Sequence, residues 1–452
     1  MKSESRSAKH ETSPKSECGE LWCLEHGRLG HSNWVRLSIF LLRAFALSVA
    51  VSGAAAPLSE RAREFRAQLA ERILPYWYDT AQDPVHGGYV LADPGPAKEK
   101  AVVTQARMIW TFSLVHRKGY SDARRNYRKA AEQGYRFLLE HFRDKQHGGY
   151  FWKTALDGRA LKEHKFVYGQ SFVICALVEY HRTSGDPDAL RHARELYQTL
   201  QQRAHDARHS GWLEHFTRDW TPLPLRDPAG EVEVAGLKSA NTHLHLMEAL
   251  TELYEVTRGP DIRRSLEEAL KINATYFYPF DAGQSCFHRN PDWSAVTDPR
   301  SAGLSYGHNV EFAWLMIRAE NVLGRKPSWA HFYAHLDHAL RCGWDAERGG
   351  LYHRGARNEP AHDTRKVWWV QAEMMAALTE ALQHQPDPKY ETALMKLLDF
   401  IAHDLADPKD GVWYDTVTSD GQPPNRAKAH NWKANYHDVR AIVKFVETCR
   451  RF

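Results

Sequence analysis

One short motif recurs along the chain as Gly87-Gly88-Tyr89, Gly148-Gly149-Tyr150, Gly211-Trp212, Gly349-Gly350-Leu351-Tyr352 and Gly411-Val412-Trp413. The first three copies are 61 and 63 residues apart, and the last two are 62 apart. The longer gap between Gly211 and Gly349 has room for two units, and a degenerate copy is expected near Gly283 to Phe287. Such a fixed period is the signature of a repeat architecture.

Two helical stretches lie between successive motifs. One kind is amphipathic and charged, as in 121–142, 187–203, 260–276 and 386–403. The other kind is apolar nearly all round, as in 102–116, 168–182, 241–257, 307–322, 367–382 and 432–446. Helices without a polar stripe are buried on most sides. The pattern predicts an all-α (α/α)6 barrel, with six inner and six outer helices and short β hairpins at one rim. The N-terminal helix at 58–77 would complete the outer ring.

The repeat also predicts the domain organisation. Each helix pair can bury its apolar face only against its neighbours, so 57–452 is expected to be a single catalytic domain. Residues 1–56 are expected to form a non-globular N-terminal segment, because most of this stretch is polar and charged without helical or strand periodicity. Within it, 35–55 runs from a basic to an apolar to a small-residue stretch, which is the pattern of a secretory signal peptide. We therefore expect export to the periplasm or the medium, with a cytoplasmic location as the alternative.

Composition limits the partners of the chain. The apolar run near residues 37–51 is short and contains Arg43, so no stable membrane insertion is expected after signal removal. The formal net charge is +4, and no basic face with interleaved aromatics is visible, so nucleic acid is not an expected partner. The cysteines beyond the N-terminal segment are too widely spaced to indicate a metal site. The oligomeric state is left open.

Each inner helix has its unusual polar residues in its first two turns. Because all inner helices of such a barrel run the same way, these residues are expected to meet at one mouth. His245 and Glu248 are three residues apart, as are His308 and Glu311, so each carboxylate can orient its imidazole. Three imidazoles in one cavity suit proton transfer near neutral pH. The candidate residues are His245, His308, His437, Arg107, Glu248, Glu311 and Glu373, with Trp368, Trp369 and Trp432 as platforms for a sugar ring.

The same residues admit other interpretations. Two His-x-x-Glu helices could ligate a dinuclear metal site, although the neighbouring arginine and aromatics suit a sugar better. Glu248, Glu311 and Glu373 could include the acid/base pair of a glycosidase. One or two of the histidines could instead be hydrogen-bonded core residues.

Four strings resemble the N-acylglucosamine 2-epimerase superfamily, and its cellobiose 2-epimerase branch in particular. They are Lys238-Ser239-Ala240-Asn241-Thr242-His243-Leu244-His245-Leu246-Met247-Glu248-Ala249, Ser305-Tyr306-Gly307-His308-Asn309-Val310-Glu311, Trp368-Trp369-Val370-Gln371-Ala372-Glu373 and Trp432-Lys433-Ala434-Asn435-Tyr436-His437. The resemblance runs from about residue 58 to the end and implies the same barrel. It also implies epimerisation at C2 of a reducing-end aldose, through a cis-enediolate and without cofactor or metal.

The resemblance assigns expected roles by position. His308 and His437 match the two acid/base histidines, and His245 matches the residue that assists ring opening. Sugar-stacking positions are matched by Trp369 and Trp432. The expected polar contacts to the substrate are Arg107, Tyr168, Asn241, Glu248, Glu311 and Glu373.

Departures from the family strings leave the substrate open. Ala434-Asn435 replaces a usual Cys-Pro, Asn309 replaces Asp, and an expected acidic residue could be Glu231 or Glu233. A cellobiose-like disaccharide is favoured over a monosaccharide such as mannose. The alternatives are an aldose–ketose isomerase of the mannose isomerase type or an N-acylglucosamine 2-epimerase. More distant ones are a glycan-binding or glycoside-hydrolysing (α/α)6 protein.

Overall fold

The computed structural model describes residues 58–297 and 303–449. The predicted non-globular segment at 1–56, including its signal peptide, lies outside the described residues. Within the described ranges, no helix combines the length and apolarity that crossing a bilayer requires.

The helices form two concentric rings. The inner ring contains α3 (Val102–Arg117), α5 (Val167–Ser184), α7 (Ala240–Thr257), α9 (Tyr306–Leu323), α11 (Trp368–His384) and α13 (Tyr436–Cys449). The outer ring contains α1 (Leu58–Gln68) with α2 (Leu74–Ala81), α4 (Tyr127–Phe137), α6 (Pro187–Arg203), α8 (Pro260–Ile272), α10 (Trp329–Cys342) and α12 (Pro388–Phe400). Consecutive inner helices pack side by side, and α13 packs against α3 to close the ring. The predicted (α/α)6 barrel is confirmed.

Several outer helices continue into one π-helical turn. These turns are Leu69–Ile73, which joins α1 to α2, and Leu138–Phe142, Asn273–Phe277 and Ile401–Leu405, which follow α4, α8 and α12. Phe142, Phe277 and Leu405 at their ends are fully buried. The turns therefore aim the chain back over the core and into the next Gly-aromatic motif.

Short antiparallel strands lie at the starts of the inner helices. They are β1 (Lys100–Ala101), β2 (Lys153–Thr154), β3 (Ala160–Lys162), β4 (Lys165–Phe166), β5 (His215–Phe216), β6 (Lys238–Ser239), β7 (His288–Arg289), β8 (Leu304–Ser305), β9 (Arg354–Gly355), β10 (Lys366–Val367) and β11 (Thr416–Val417). β1, β2 and β3 form one sheet, and the others pair as β4–β5, β6–β7, β8–β9 and β10–β11. In the β10–β11 pair, for example, Lys366 is opposite Val417.

The Gly-aromatic motif is a tight turn that requires glycine. Gly88 has a φ of +66°, and a Cβ there would lie 2.7 Å from the Phe137 ring. Such a left-handed backbone costs little only for glycine. The expected degenerate copy follows the same pattern, because Cys286 N donates to Phe277 O at 3.1 Å as Val90 N donates to Ala81 O at 2.8 Å.

A buried lysine ties most of these turns to the strand before an inner helix. Lys366 Nζ donates to Asp345 Oδ2 and to Gly349 O, both at 2.7 Å. The same pairing joins Lys100 to Asp83, Lys165 to Asp144 and Lys238 to Asp206. A buried ion pair with extra hydrogen bonds fixes one arrangement. The starts of the inner helices are therefore held in place at the rim.

A second set of polar residues binds the turns from the inner helices. Gln105 Oε1 accepts from Tyr89 N, and its Nε2 donates to Tyr89 O, both at 2.8 Å. Gln170 makes the same two bonds to Tyr150, and Gln371 makes them to Leu351. His243 Nε2 accepts from Trp212 N at 3.1 Å, and Asn309 Nδ2 donates to Ala282 O at 3.2 Å. We call Gln105, Gln170, His243, Asn309 and Gln371 the turn-binding residues. The expectation that all polar residues of the helix starts face the mouth was wrong for these, because a buried turn amide needs a partner.

Two predicted helix boundaries were also wrong. The last inner helix begins at Tyr436 rather than 432, because His430 and Lys433 first exchange backbone hydrogen bonds at 2.9 and 3.3 Å. Trp432 therefore lies in a turn before α13, not on the helix. The outer helix predicted at 121–142 begins at Tyr127, where the side chain of Asn126 caps Lys129 N at 3.1 Å.

Candidate active site

The inner helix starts surround a cavity of about 150 Å³. Its lining residues are Arg107, Tyr168, Asn241, His245, His308, Glu311, Trp368, Trp369, Trp432 and His437. Three helix-borne imidazoles therefore meet in one hollow, as expected. Glu248 and Glu373 were predicted to bind substrate, but they lie behind His245 and His437. Glu248 follows His245 by about one turn of α7, and Glu373 belongs to α11, the helix that packs beside α13 and its His437.

The turn-binding residues give five of the six inner helices, α3 to α11, a common register. The residues two positions later are Arg107, Phe172, His245, Glu311 and Glu373. Because the turn-binding residues occupy equivalent places, these five lie at one level of the barrel. His308, by contrast, comes one position before a turn-binding residue and lies nearer the rim.

His245 is held by the carboxylate on its own helix. Its Nδ1 lies 3.0 Å from Glu248 Oε2, and both side chains are buried. Glu248 also accepts hydrogen bonds from Tyr436, at 2.6 Å, and from Arg440. Burial alone would raise the pKa of Glu248, but Arg440, His245 and Tyr436 hold it at about 2. Burial lowers the pKa of His245, so the imidazole is neutral and keeps its Nε2 lone pair.

His437 is held by a carboxylate from a neighbouring helix. Its Nδ1 lies 2.6 Å from Glu373 Oε1, while Glu373 Oε2 accepts from Trp314 Nε1 at 2.9 Å. Burial first, and then the positive charges of Arg107 and Arg440, lower the pKa of His437 well below its usual value. The Nδ1 proton is thus fixed toward Glu373, which leaves Nε2 as the basic atom.

The predicted pairing of His308 with Glu311 was wrong. No described residue bonds to His308 Nδ1, and Glu311 Oε1 instead accepts from Arg440 Nη2 at 3.0 Å. Glu311 lies one helical turn deeper than His308, at the level where Arg440 provides a stronger partner. Burial and the nearby His245 lower the pKa of His308 well below its usual value. His308 is therefore a neutral imidazole without a carboxylate partner.

Arg440 links the carboxylates of three helices and was not predicted from the sequence. It donates to Glu248, to Glu311 at 3.0 Å and to Glu373 at 2.8 Å. One guanidinium cannot neutralise three buried carboxylates. Burial and the charge of Glu373 accordingly raise the pKa of Glu311 well above its usual value. The raised pKa favours the protonated form of Glu311, in which the carboxyl group can donate a hydrogen bond.

Two groups of side chains have ligand atoms close enough for a metal ion. They are His245, Glu248 and Glu311, and Glu311, Glu373 and His437, with ligand atoms within 4.8 Å of one another. Arg440 already donates to all three of these carboxylates. A divalent cation would have to displace or repel this guanidinium. The donor set therefore fits proton transfer better than metal binding.

Trp369 lies near both His308, which has no carboxylate partner among the described residues, and His437, which is bonded to Glu373. Its ring centroid is 4.6 Å from that of His308 and 6.1 Å from that of His437. The close approach requires Gly307, because a Cβ there would lie 2.6 Å from the indole. On the opposite wall, Arg107 donates to Tyr168 Oη at 2.9 Å.

Trp432 forms the exposed edge of the cavity. Its side chain is 38% exposed, although its backbone oxygen accepts from Arg107 Nη1 at 3.0 Å. Glu231 and Glu233, the two acidic candidates in the loop before β6, do not line the cavity. Glu231 accepts a hydrogen bond from Trp152 Nε1 at 2.9 Å, and Glu233 accepts one from His288 Nε2 at 2.8 Å.

The sequence and fold of this chain match known carbohydrate enzymes. Residues 88–441 match the N-acylglucosamine 2-epimerase (GlcNAc 2-epimerase) family. The solved structure of cellobiose 2-epimerase from Spirochaeta thermophila is 33% identical, with a TM-score of 0.78, over 88% of this chain and 99% of that one. Cellobiose 2-epimerase of Bacteroides fragilis is 29% identical over 85% of this chain and 98% of its own length. D-mannose isomerase of Marinomonas mediterranea is 25% identical over 84% and 95%.

A barrel with buried imidazoles around a sugar-sized cavity defines an enzyme of the carbohydrate epimerase and isomerase class. The chain belongs to the N-acylglucosamine 2-epimerase family, as its match over residues 88–441 establishes. The sequence did not identify Arg440 as the partner of the buried carboxylates, or the turn-binding residues as partners of the buried turns. Aligning the repeats on their turns would have found the common register.

Proposed function

We propose that this enzyme inverts C2 of a reducing-end aldose of the glucose or mannose type. The observation that carries the proposal is the pair of neutral imidazoles, His308 and His437, which line one cavity together and both lie near Trp369. A sugar bound in this cavity would offer C2 to two bases from different helices. Neutral imidazoles are suited to accept a proton at this step.

The first step is ring opening. His245, with its Nδ1 proton fixed toward Glu248, would accept the anomeric hydroxyl proton through Nε2. The C1–O5 bond then breaks as the C1 carbonyl forms, and His245 returns the proton it took to O5, which gives the open-chain aldehyde. The raised pKa of Glu311 favours the protonated form of its carboxyl group, which can donate a hydrogen bond to a sugar oxygen.

The second step removes the C2 proton. The aldehyde acidifies this hydrogen, and His437 Nε2 takes it from one epimer while the electron pair forms the C1–C2 double bond of a cis-enediolate. Glu373 would stabilise the resulting imidazolium through the 2.6 Å contact to Nδ1. Arg107, held by Tyr168 and by the backbone oxygen of Trp432, supplies the positive charge for the enediolate oxygen.

The third step returns a proton to the other face of C2. Rotation about C2–C3 would expose that face to His308, which takes up a proton from solvent and, as the imidazolium, donates it to C2 to complete the inversion. His437 then releases to solvent the proton that it removed, so both imidazoles end neutral. In the reverse direction the two histidines exchange roles. No step requires a redox cofactor, because the substrate and product have the same oxidation state.

We propose a cellobiose-like disaccharide as the substrate. Support comes from the two cellobiose 2-epimerases described above and from Trp432, whose exposed ring lies 5.9 Å from that of Trp152 at the mouth. Such a ring could stack on a second sugar unit outside the closed cavity.

Product analysis in D2O tests the reaction. The enzyme is incubated with cellobiose, mannobiose, glucose and mannose, and the products are identified by NMR. The proposal predicts a C2 epimer that carries deuterium at C2, with the disaccharides turned over faster than the monosaccharides. Release of free monosaccharide from a disaccharide, or binding without turnover, would contradict it.

An aldose–ketose isomerase is the second candidate. Its support is the similarity to D-mannose isomerase over most of both chains. This reaction shares the enediolate but returns the proton to C1. A ketose as the sole product in the same NMR experiment would establish it over epimerisation.

The predicted export of the enzyme stays a proposal based on residues 35–55. N-terminal sequencing of the mature protein from its host tests it. A mature chain beginning near residue 56 is expected, and a mature chain that retains residues 35–55 would contradict it.

A further inference from the structure

We propose that the barrel has a second ligand site at the end opposite the mouth, which binds a neutral saccharide or similar polyol. A cavity of about 380 Å³ lies there, among the C-terminal halves of the inner helices. Leu114 and Arg117 of α3, Arg182 of α5, Arg318 of α9 and Val443 of α13 contribute to its wall. We call this the basal cavity. It is larger than the cavity at the mouth.

The charged groups of the basal cavity are already paired. Arg117 lies 2.6 Å from Glu179, and Lys118 lies 2.6 Å from Glu447. On the other side, Arg318 lies 2.7 Å from Glu252. An ionic ligand would have to break one of these pairs, which leaves a partly buried charge uncompensated.

A neutral polyhydroxyl ligand fits this arrangement better. The wall alternates guanidinium donors with carboxylate acceptors, and each hydroxyl of a sugar can donate and accept. Two indoles, Trp110 and Trp314, supply flat apolar surface beside these groups. Trp110 is 6% exposed, and among the described residues its Nε1 has no hydrogen-bond partner.

Two residues connect the basal cavity to the mouth. Arg440 contributes to the basal wall and donates to Glu373 at 2.8 Å and to Glu311 at 3.0 Å. Trp314 also contributes to that wall and donates to Glu373 at 2.9 Å. A ligand that shifts either side chain would change the hydrogen bonds of the Glu373 carboxylate, which in turn bonds to His437 Nδ1. Occupancy of the basal cavity should therefore alter the rate of the reaction at the mouth, a consequence that rests on the proposed function.

The binding test uses methyl β-cellobioside as the probe. Its anomeric carbon is blocked, so its reducing ring cannot open, and binding is measured without turnover. Saturation-transfer NMR on the full-length enzyme compares the wild type with Trp369→Ala, which removes the platform at the mouth. Leu114→Trp, which fills the basal cavity, and the two further variants below are made in this Trp369→Ala background, so that binding at the mouth does not mask the basal cavity. Thr448→Phe fills the same cavity from another helix, in case Leu114→Trp does not fold. Leu340→Trp, in a groove between α10 and α12, is the matched control.

We expect binding to persist in Trp369→Ala and Leu340→Trp, and to weaken at least about tenfold in Leu114→Trp and Thr448→Phe. Loss of binding in Trp369→Ala, or unchanged binding in both filled variants, would overturn the second site. Neither result depends on C2 chemistry, so a failure here leaves the proposed reaction standing. Conversely, the basal site would survive if the products in D2O were not epimers.

Discussion

Helices α7 and α9 carry the same His-x-x-Glu motif and use it differently. In α7, His245 is bonded to Glu248 on the same helix. In α9, His308 has no carboxylate partner and Glu311 is bonded to Arg440. His245 comes two residues after the turn-binding residue of α7, whereas His308 comes one residue before that of α9. The motif in α9 therefore starts three residues earlier than the motif in α7. Glu311 therefore occupies the level of His245, and the register of a repeat decides the role of a residue more than its local spacing.

The same comparison separates two electrostatic environments. Glu248 is an ionised carboxylate whose pKa is held at about 2 by its three hydrogen-bond donors. Glu311 is a carboxyl group whose pKa is raised by burial and by Glu373. One motif thus yields a carboxylate with a lowered pKa in α7 and a carboxyl group with a raised pKa in α9. The following variants test this difference.

The largest effect is expected for Arg440→Met. The substitution leaves three buried carboxylates without their shared cation, and removing one partner of such a network costs about 3–5 kcal/mol. The free energy of unfolding, measured by urea denaturation, should fall by that amount, and C2 exchange should be lost. Arg263→Met on the surface of α8, where Arg263 pairs with Glu267 and donates to Tyr254 Oη at 3.2 Å, is the control and should change little. A loss below about 1 kcal/mol for Arg440→Met would contradict the account.

Glu248→Gln should have the next largest effect. The amide keeps the shape of the side chain but removes the charge that Arg440 and His245 contact, at a cost of about 1.5–3 kcal/mol for bonds to charged groups. Glu311→Gln is the matched variant in α9 and should leave the unfolding free energy at pH 7 unchanged or slightly higher. Equal destabilisation by the two variants would show that the two motifs are equivalent after all.

The two variants should also respond to pH in opposite ways. The stabilisation by Glu248 is present above its ordinary pKa of 4.5 and is lost as the pH falls toward about 2. The pKa of Glu311 is raised, so its contribution is full below pH 4.5 and is lost as the pH rises through the folded-state value. Unfolding curves over this range should therefore show the deficit of Glu248→Gln shrinking in acid. Glu311→Gln should gain on the wild type as the pH rises, and parallel curves would exclude the assigned pKa shifts.

The smallest effect is expected for Gln371→Ala at a turn-binding position. It removes two buried hydrogen bonds to Leu351, each of which contributes about 1 kcal/mol. Thermal unfolding should detect the loss, while the Michaelis constant and the turnover number stay close to wild type. A selective fall in turnover would mean that Gln371 acts at the mouth and not on the turn.

The fold was predictable because the repeat and the two helix types are encoded locally. Periodic glycines and apolar helices predicted both rings, and the polar helix starts predicted which residues line the mouth. Arg440 was not predictable in this way, since its three partners come from three other helices. The displacement of Trp432 from α13 depends on backbone bonds between His430 and Lys433, which side-chain periodicity does not reveal.

The most direct test of the account is C2 hydrogen exchange in D2O with His437→Ala. His437 is the base that the structure supplies with a carboxylate, and its loss should abolish deuterium incorporation at C2 of the sugar. Circular dichroism should show an intact helical fold. Exchange at the wild-type rate in this variant would remove His437 from the mechanism and contradict the proposal that His308 and His437 together carry the reaction.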